Sequence, residues 1–341
     1  MQDSEQKFGL PFEQKDKAVY FRMPNEPTDK KFGKRPEERT VQELLQSSII
    51  NIDKPSGPTS HQVSAYVRDI LHVSKAGHSG TLDPKVTGVQ PIAIGTGTRV
   101  TQSLLTAGKE YITVMHIHKE VALDRIKAAL EKFIGTIKQL PPQKSAVKRQ
   151  VRERNVYYIE LLDVDGQDVL FKVGCQAGTY IRKLCHDMGL LLGTGAHMAS
   201  LRRTRAGPFT EENLCTLQDL KDAYHYYVVE KDDKPLMKLL QPIEKAVEHL
   251  PKIWVLDSTV DNLCHGAQLK VPGVVKYNSS IQNNDLVAVM TLKDELIGVG
   301  RAVLSGSDLK KAEHGLAVMW EQVFMSPGIY PRIERLPEKH K

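Results

Sequence analysis

One short glycine-rich stretch, residues 76–88 (AGHSGTLDPKVTG), holds side chains of types that take part in chemistry. It presents His78, Thr81 and Asp83, and its three glycines permit close backbone approach or a positive φ. Pro84 stiffens the chain after Asp83 and biases that residue to an extended conformation. A carboxylate displayed in this way could act as a nucleophile or a general base. The alternative is that Asp83 only begins a turn, as Asp-Pro often does.

A second stretch, residues 175–184 (CQAGTYIRKL), places an arginine at the start of a predicted helix. We expect Thr179 to cap this helix and Tyr180 and Arg182 to lie in its first turn. The guanidinium of Arg182 would then project from a rigid element toward a carboxylate or a phosphate. The alternative is a surface arginine on an amphipathic helix.

Basic residues are concentrated in the segment 138–154, where six of them accompany a single acidic residue. That local excess is close to the whole net charge of +6. Two prolines open the segment, and the basic residues that follow, including Lys148, suit an RNA backbone, which binds lysine and arginine by releasing counterions. A second basic cluster contains Arg202, Arg203 and Arg205. Charge of this kind indicates a polyanionic partner, although a solvated basic loop would have the same composition.

The elements that must position these residues follow from hydrophobic periodicity and turn residues. Thr59 and Gln62 form a capping box that begins a helix ending near Leu71, and residues 75–91 are expected to be largely loop because glycine and proline interrupt them. The remaining predictions are a strand at 48–53, a strand at 109–118, a helix at 126–134 stopped by Gly135, a hairpin around Asp165 and Gly166, a helix within 178–193 and a strand at 199–204.

The chain changes character near residue 250, after which short β runs alternate with turns. We therefore predict an α+β fold with two domains and flanking segments: an N-terminal arm at 1–47, an α+β body at 48–250, a small β-rich domain at 251–330 and a tail at 331–341. The 341 residues and the 40% hydrophobic content are sufficient for two such cores.

Several protein classes are unexpected on composition. No stretch approaches the roughly 18 consecutive apolar residues that cross a bilayer, and the first residues lack the apolar region of a secretory signal. The four cysteines are widely spaced, at positions 175, 185, 215 and 264. That spacing fits neither a zinc site nor a disulfide framework, so we expect an intracellular protein without a structural metal.

Taken together, these segments resemble the TruB/dyskerin family of RNA pseudouridine synthases. The motifs occur in the family's order: IDKPSGPTSH (52–61), GHSGTLDP with VTG (77–88), GKEY (108–111), LPPQKSAVK (140–148), and GTYIRKL (178–184) followed by LRRT and GPF. Residues 265–274 and 296–303 are similar to the RNA-binding PUA domain that family members carry. The resemblance thus implies a pseudouridine synthase catalytic domain with a mixed, largely antiparallel sheet, followed by a C-terminal PUA domain.

Within the family, the chain is most similar to the archaeal-type catalytic subunit of H/ACA guide-RNA particles. Residues 75–89 (KAGHSGTLDPKVTGV) and 106–118 (TAGKEYITVMHIH) carry this resemblance, together with the polar segment 31–45. Gln90 departs from the family, which usually has leucine at this position. It lies seven residues past Asp83, so we expect altered packing and intact chemistry.

The resemblance implies roles for individual residues. Asp83 would be the catalytic carboxylate, Arg182 the arginine that pairs with it, and Tyr111 the tyrosine that stacks on the flipped uracil and assists proton transfer from C5. His78 would support the position that the flipped base vacates, and Tyr180 would shape the same pocket. The expected RNA-backbone ligands are Lys148, Arg202 and Arg203. The isomerisation has no redox step, so no cofactor and no metal are expected.

The implied partners are an H/ACA guide RNA, substrate RNA (ribosomal and possibly transfer RNA), small H/ACA accessory proteins and a kink-turn-binding ribosomal-type protein, with no membrane. Two alternatives remain open. A stand-alone synthase for transfer RNA would have the same active site, and a non-catalytic RNA-binding scaffold would not need Asp83, Tyr111 and Arg182 together.

Overall fold

The structure is a computed structural model that describes residues 9–140 and 150–332. The chain divides into two compact units. The first contains Ile50–Leu239 with the described residues up to Gln14, and the second contains Lys15–Ile49 with the described residues from Leu240 onward.

The strands and helices of the described ranges are as follows. The strands are β1 Val19–Phe21, β2 Ser47–Lys54, β3 Ala76–His78, β4 Thr87–Gly95, β5 Lys109–Ile117, β6 Gly135–Gln139, β7 Arg152–Asp165, β8 Asp168–Cys175, β9 Ala196–Ala206, β10 Gln241–Pro242, β11 Lys252–Val255, β12 Leu269–Lys270, β13 Val274–Asn278, β14 Leu286–Met290, β15 Leu296–Ala302 and β16 Leu316–Val323. The α-helices are α1 Pro11–Gln14, α2 Val41–Gln46, α3 Ser60–Leu71, α4 Thr101–Leu105, α5 Leu123–Lys132, α6 Ile181–Leu192, α7 Leu217–His225, α8 Lys234–Leu239, α9 Asp257–Cys264 and α10 Gly306–Lys311. Short 3-10 turns occur at Pro36–Glu38, Thr96–Val100, Glu211–Asn213, Ile243–Val247 and Val271–Gly273, and a π-helical turn at Tyr226–Glu230.

The first unit is built on a mixed sheet with the strand order β2-β4-β9-β5-β8-β7-β6, and β3 pairs with β4. β4 and β9 are parallel, whereas β9, β5, β8, β7 and β6 follow one another antiparallel. Apolar side chains of β5, β7 and β8 pack with those of α5 and α6 in one core cluster. The predicted α+β fold class is confirmed by this mixed architecture together with the β-rich second unit.

Local sequence signals account for many of the element boundaries. The predicted capping box is present at α3, where the side chains of Thr59 and Gln62 bond each other's backbone N–H groups and the helix ends at Leu71. The predicted cap of α6 is wrong. Tyr180 occupies its N-cap position without a side-chain cap, and the Thr179 hydroxyl donates to the Gln176 carbonyl instead.

The prediction that residues 75–91 are largely loop is wrong at both ends. Only residues 79–86 lie between strands, because β3 covers residues 76–78 and β4 begins at residue 87. The glycine at position 88 does not end the strand. Its φ is +101°, and a Cβ there would lie 2.2 Å from the carbonyl oxygen of Arg203 on the parallel neighbour β9. Gly88 therefore permits a close approach of two paired strands.

The second unit is a seven-stranded sheet with the order β1-β13-β11-β14-β15-β16-β12. Its core includes Val255, Val287 and Ile297, and β10 pairs with Ser48 and Ile49. The segment predicted as an N-terminal arm contributes to this unit, since β1 pairs with β13 along Val19–Phe21. Arg39 adds a bidentate ion pair with Glu244. The domain bounds at 48–250 and 251–330 stay predictions, and the tail from 333 onward lies outside the described residues.

Within the described ranges, no helix has the length and apolar character needed to cross a membrane. All four cysteines are free, and burial raises the pKa of each thiol to about 12.

Candidate active site

The loop that carries Asp83, residues 79–86 between β3 and β4, is called here the Asp83 loop. A buried ammonium holds its C-terminal half. Lys54 Nζ, with its side chain fully buried, donates to the carbonyls of Pro84 (3.0 Å), Val86 (2.8 Å) and Pro55 (2.9 Å). The Gly57 N–H also donates to the Pro84 carbonyl at 2.9 Å. The three of these hydrogen bonds that go to Pro84 and Val86 fix the backbone immediately after Asp83.

Asp83 and Arg182 form an ion pair through Oδ2 and Nη2. Arg182 is the second residue of α6, so a helix holds the guanidinium. Both side chains are 54% exposed, so the pair lies at the surface of the unit and is open to a ligand. The structure therefore brings together the two residues that the sequence singled out separately.

Tyr111 lies on β5 opposite Arg203 of β9, and the Arg203 guanidinium hydrogen-bonds the tyrosine hydroxyl. Burial raises the pKa of Tyr111, and the positive charge of Arg203 opposes that rise. Tyr111 is partly exposed and keeps its phenol proton at neutral pH. The tyrosine hydroxyl is thus held by a buried cation of the neighbouring strand.

The position of Arg203 contradicts the prediction that it contacts the RNA backbone. It is 1% exposed, and its Nε donates to the Val89 carbonyl at 2.6 Å. A Cβ atom added to Gly80 would lie 3.8 Å from Arg203 Nη1. The buried guanidinium therefore lies next to the Asp83 loop. Burial lowers the pKa of Arg203. This arginine binds groups inside the sheet and cannot reach a phosphate in this structure.

His78 ends β3 and joins the Asp83 loop to α3. Its Nδ1 lies 3.2 Å from Ser64 Oγ, and its Nε2 lies 3.4 Å from Thr81 Oγ1. Its ring packs edge-on against the ring of His61, with 4.7 Å between the ring centroids. Burial lowers the pKa of His78 to about 4, assisted by His61 and Arg203. The imidazole is therefore neutral at pH 7. It lines a cavity of about 370 Å³ bounded by α3 and β3.

Tyr180 is held by a residue that the sequence reasoning missed. Gln139, 2% exposed at the end of β6, accepts from the Tyr180 N–H at 2.9 Å and donates to the Tyr180 carbonyl at 3.1 Å. The pair fixes the backbone at the start of α6, two residues before Arg182. Gln139 is the first residue of the predicted proline-basic segment. That position was the only feature of the sequence that pointed to a functional role for Gln139.

The other predicted RNA ligands differ in their surroundings. Arg202 binds Asp53 through both Nη atoms (2.9 and 3.1 Å) and Glu211 through Nε (2.6 Å), so its charge is already matched by two carboxylates. Lys148 lies outside the described residues. Among the residues that are described, no cluster of three or more histidine, cysteine or acidic side chains is arranged to hold a metal ion.

The arrangement offers an ionised carboxylate oriented by a guanidinium, a phenol hydrogen-bonded to a buried guanidinium, and a neutral imidazole beside a cavity. A carboxylate of this kind can add to an electrophilic carbon or accept a proton, and a phenol can stack on a base and relay a proton.

Four family models match consecutive parts of the chain. They are the DKCLD (NUC011) domain at residues 9–64, the TruB family pseudouridylate synthase N-terminal domain at 68–181, the tRNA pseudouridylate synthase B C-terminal domain at 182–248 and the PUA domain at 251–324.

Similar proteins cover nearly the whole chain. A probable tRNA pseudouridine synthase B from Methanopyrus kandleri is 51% identical over 95% of this chain and 95% of its own length. A probable tRNA pseudouridine synthase B from Pyrococcus abyssi is 54% identical over 90% of this chain and 92% of its own length. Among solved structures, a Cbf5-Nop10-Gar1 complex matches with a TM-score of 0.91 at 50% identity, covering 95% of this chain and 98% of the other. An H/ACA RNP bound to a substrate RNA containing 2′-deoxyuridine matches with a TM-score of 0.90 at 48% identity, covering 96% and 100%.

These matches confirm the resemblance that the motifs indicated, including the PUA domain and the largely antiparallel sheet around β5 and β9. The chain belongs to the TruB family of pseudouridine synthases and is an isomerase of that class.

Proposed function

We propose that this synthase isomerises uridines in RNA selected by an H/ACA guide RNA, with ribosomal RNA as the main substrate. The observation that carries the chemistry is the half-exposed Asp83–Arg182 pair on an anchored loop. The proposal that a guide RNA selects the target is supported by full-length similarity to solved structures of a Cbf5-Nop10-Gar1 complex and of a substrate-bound H/ACA RNP. The sequence identities are 50% and 48%.

In the proposed reaction, the C1′–N1 bond of uridine breaks, the uracil turns, and C5 bonds to C1′. The C5 proton is then lost and N1 gains one, so atoms and electrons balance without an oxidant or a leaving group. Asp83 is the nucleophile or base, and either the ribose or the uracil ring is its first point of attack. Arg182 orients the carboxylate through its planar fork of donors. Tyr111 stacks on the uracil and assists removal of the C5 proton.

A uridine within folded RNA must leave its stack before Asp83 can reach it, at a cost of a few kcal/mol. We assign His78 to the vacated stacking position. Its neutral ring offers a flat surface without a charge that would have to be desolvated. Tyr180, fixed by Gln139, shapes the wall of the same pocket.

The proposed partners are the guide and substrate RNAs, small accessory proteins of the kind named in the related complexes, and a kink-turn-binding ribosomal-type protein. The PUA domain would bind the guide, and Lys148 and the other basic residues near it would follow the RNA backbone. We also propose that the protein acts in the cytoplasm.

A second candidate is a stand-alone transfer-RNA synthase, which is favoured by the names of the curated relatives. Reconstitution separates the two. The chain is combined with accessory proteins, a guide RNA and a designed target, and pseudouridine is read at the target uridine. We expect conversion that requires the guide and moves when the guide sequence is changed. Equal conversion of a transfer-RNA stem-loop without any guide would favour the second candidate.

A further inference from the structure

Gln90, where the family resemblance implies a leucine, is fully buried in β4. Its neighbours along the strand are almost all apolar and buried as well. A buried amide is stable only where its donor and acceptor are both satisfied. The partners of Gln90 therefore indicate why a polar side chain is tolerated at this position.

Both ends of the amide bind one residue, Ser60, the first residue of α3. Gln90 Nε2 donates to the Ser60 carbonyl at 3.2 Å, and Gln90 Oε1 accepts from Ser60 Oγ at 3.0 Å. The orientation of the amide is determined by chemistry, because a carbonyl can only accept and must face the NH₂ group.

This contact commits the single proton of the Ser60 hydroxyl. The hydroxyl could otherwise turn toward the Leu82 carbonyl, which lies at 3.3 Å. With the proton directed to Gln90, a lone pair of Ser60 Oγ accepts the Leu82 N–H at 2.8 Å. Leu82 is the residue immediately before Asp83, and it is buried.

The Asp83 loop is thus held on both sides of the aspartate. Lys54 and Gly57 bind the backbone at Pro84, and Ser60 binds it at Leu82. We propose that Gln90 is a positioning residue for the reaction: by orienting Ser60, it fixes the backbone on the N-terminal side of Asp83. This rests on the proposed role of Asp83 and revises the expectation that Gln90 affects packing only.

The test uses the full chain in the reconstituted particle, with a substrate RNA tritiated at C5 of the target uridine. Isomerisation releases that hydrogen to water. Single-turnover rate constants at saturating particle separate the chemical step from RNA binding. The variants are Gln90→Leu, Ser60→Ala and the double variant. The control is Asn51→Leu, which removes another buried amide of the same sheet, one that binds the Thr210 carbonyl and no residue of the Asp83 loop.

We expect Gln90→Leu to lower the rate constant about tenfold, because small displacements of a reacting group are costly, with RNA affinity within about twofold of wild type. Ser60→Ala should fall at least as far. The double variant should be no slower than Ser60→Ala, since both residues act on the Asp83 loop through the single hydrogen bond from the Leu82 N–H to Ser60 Oγ. Asn51→Leu should reduce thermal stability and leave the rate constant within about twofold. A wild-type rate in Gln90→Leu, or additive losses in the double variant, would overturn the proposal.

Gln90→Glu gives a readout that packing alone would not produce. A protonated carboxyl can donate to the Ser60 carbonyl and accept from its hydroxyl, whereas a carboxylate cannot donate. The ratio of the Gln90→Glu rate to the wild-type rate should therefore rise as pH falls, and a ratio that does not change with pH would contradict the proposal.

If wild type releases no tritium in any RNA, the proposed function fails; an active wild type with an equally active Gln90→Leu overturns only the role of Gln90.

Discussion

Asp83 and Arg182 are both half exposed, and an ion pair of that kind contributes little to folding, about 0–1 kcal/mol. Its effect must therefore be on the orientation of the carboxylate. Asp83→Asn keeps the shape and removes the charge and the nucleophile. We expect isomerisation to fall below about a hundredth of wild type, with RNA affinity nearly unchanged. Tritium release above that level in a folded variant would exclude the catalytic role of Asp83.

Arg182→Lys tests the geometry of the pair without changing its charge. A guanidinium can present two parallel donors to a carboxylate, whereas an ammonium is a compact point charge. We expect a loss of at least about tenfold in the single-turnover rate constant. Lys183→Arg is a suitable control because Lys183 pairs with Asp187 one turn along the same helix. Normal turnover by Arg182→Lys would show that the guanidinium does not orient Asp83.

The neutral state of His78 predicts a dependence of stability on pH. Its pKa is about 4 when folded and near 6.5 when unfolded, so between these values the unfolded chain binds more protons. Its contribution to stability is present above pH 6.5 and is lost as pH falls toward 4. Lowering the pH from 7 to 5 should cost wild type on the order of 1 kcal/mol more than it costs His78→Gln, because solvent around the partly exposed ring screens part of the effect. Denaturant unfolding at both pH values measures this, and equal losses would place His78 in a less buried environment.

At the residue scale, the sequence predicted the members of the site better than their contacts. Asp83 and Arg182 could be paired by resemblance because the motifs carry both. Arg203 was assigned to RNA because three arginines within four positions suggest a basic surface. In β9, however, the side chain of Arg203 is buried within the sheet. It binds the carbonyl of Val89 on the parallel strand β4 and the side chain of Tyr111 on β5. The roles of Gln139 and Gln90 depend on partners far away in the chain, which periodicity cannot indicate.

At the scale of elements, helix α3 and strand β5 were predictable because capping and alternation are local properties. Strand β4 was not, since glycine and proline usually interrupt strands. Its glycine at position 88 instead permits the close contact with Arg203, and its proline, Pro91, is followed by three buried residues. The pairing of β4 with β9 overrides the local signal.

Gly88→Ala tests this contact against a matched control. Gly88 and Gly135 have the same φ of +101°, but a Cβ at Gly135 would meet nothing within 4 Å. Gly135→Ala should therefore cost only the backbone conformation, about 1–2 kcal/mol. Gly88→Ala should cost about 2 kcal/mol more in the free energy of unfolding because backbone atoms must move apart. Equal losses in the two variants would mean that the strands separate easily at this point.

At the scale of the whole molecule, the matched PUA domain covers residues 251–324, but the second unit also includes Lys15–Ile49. Strand β1 pairs with β13, and Arg22 donates to the carbonyls of Leu309 and Ala312. The sequence predicted the β-rich domain from its short strands, but it did not predict that residues 19–21 add a strand to this sheet. β1 is only three residues long, too short for an alternating pattern to be read.

Removing the chain from Pro251 onward tests the role proposed for the PUA domain. The Asp83 loop and α6 lie in the first unit, so the pocket should persist, whereas β1 would lose its partner strand and the protein should be less soluble. Guide-RNA affinity, measured on protein shown by circular dichroism to be folded, should fall at least about tenfold and depend less steeply on salt, because fewer phosphates are neutralised. The control is full-length Asp83→Asn, which keeps the second unit and should bind the guide normally. An unchanged affinity and salt slope in the truncated protein would mean that the PUA domain contacts proteins and that the guide RNA is bound by the first unit.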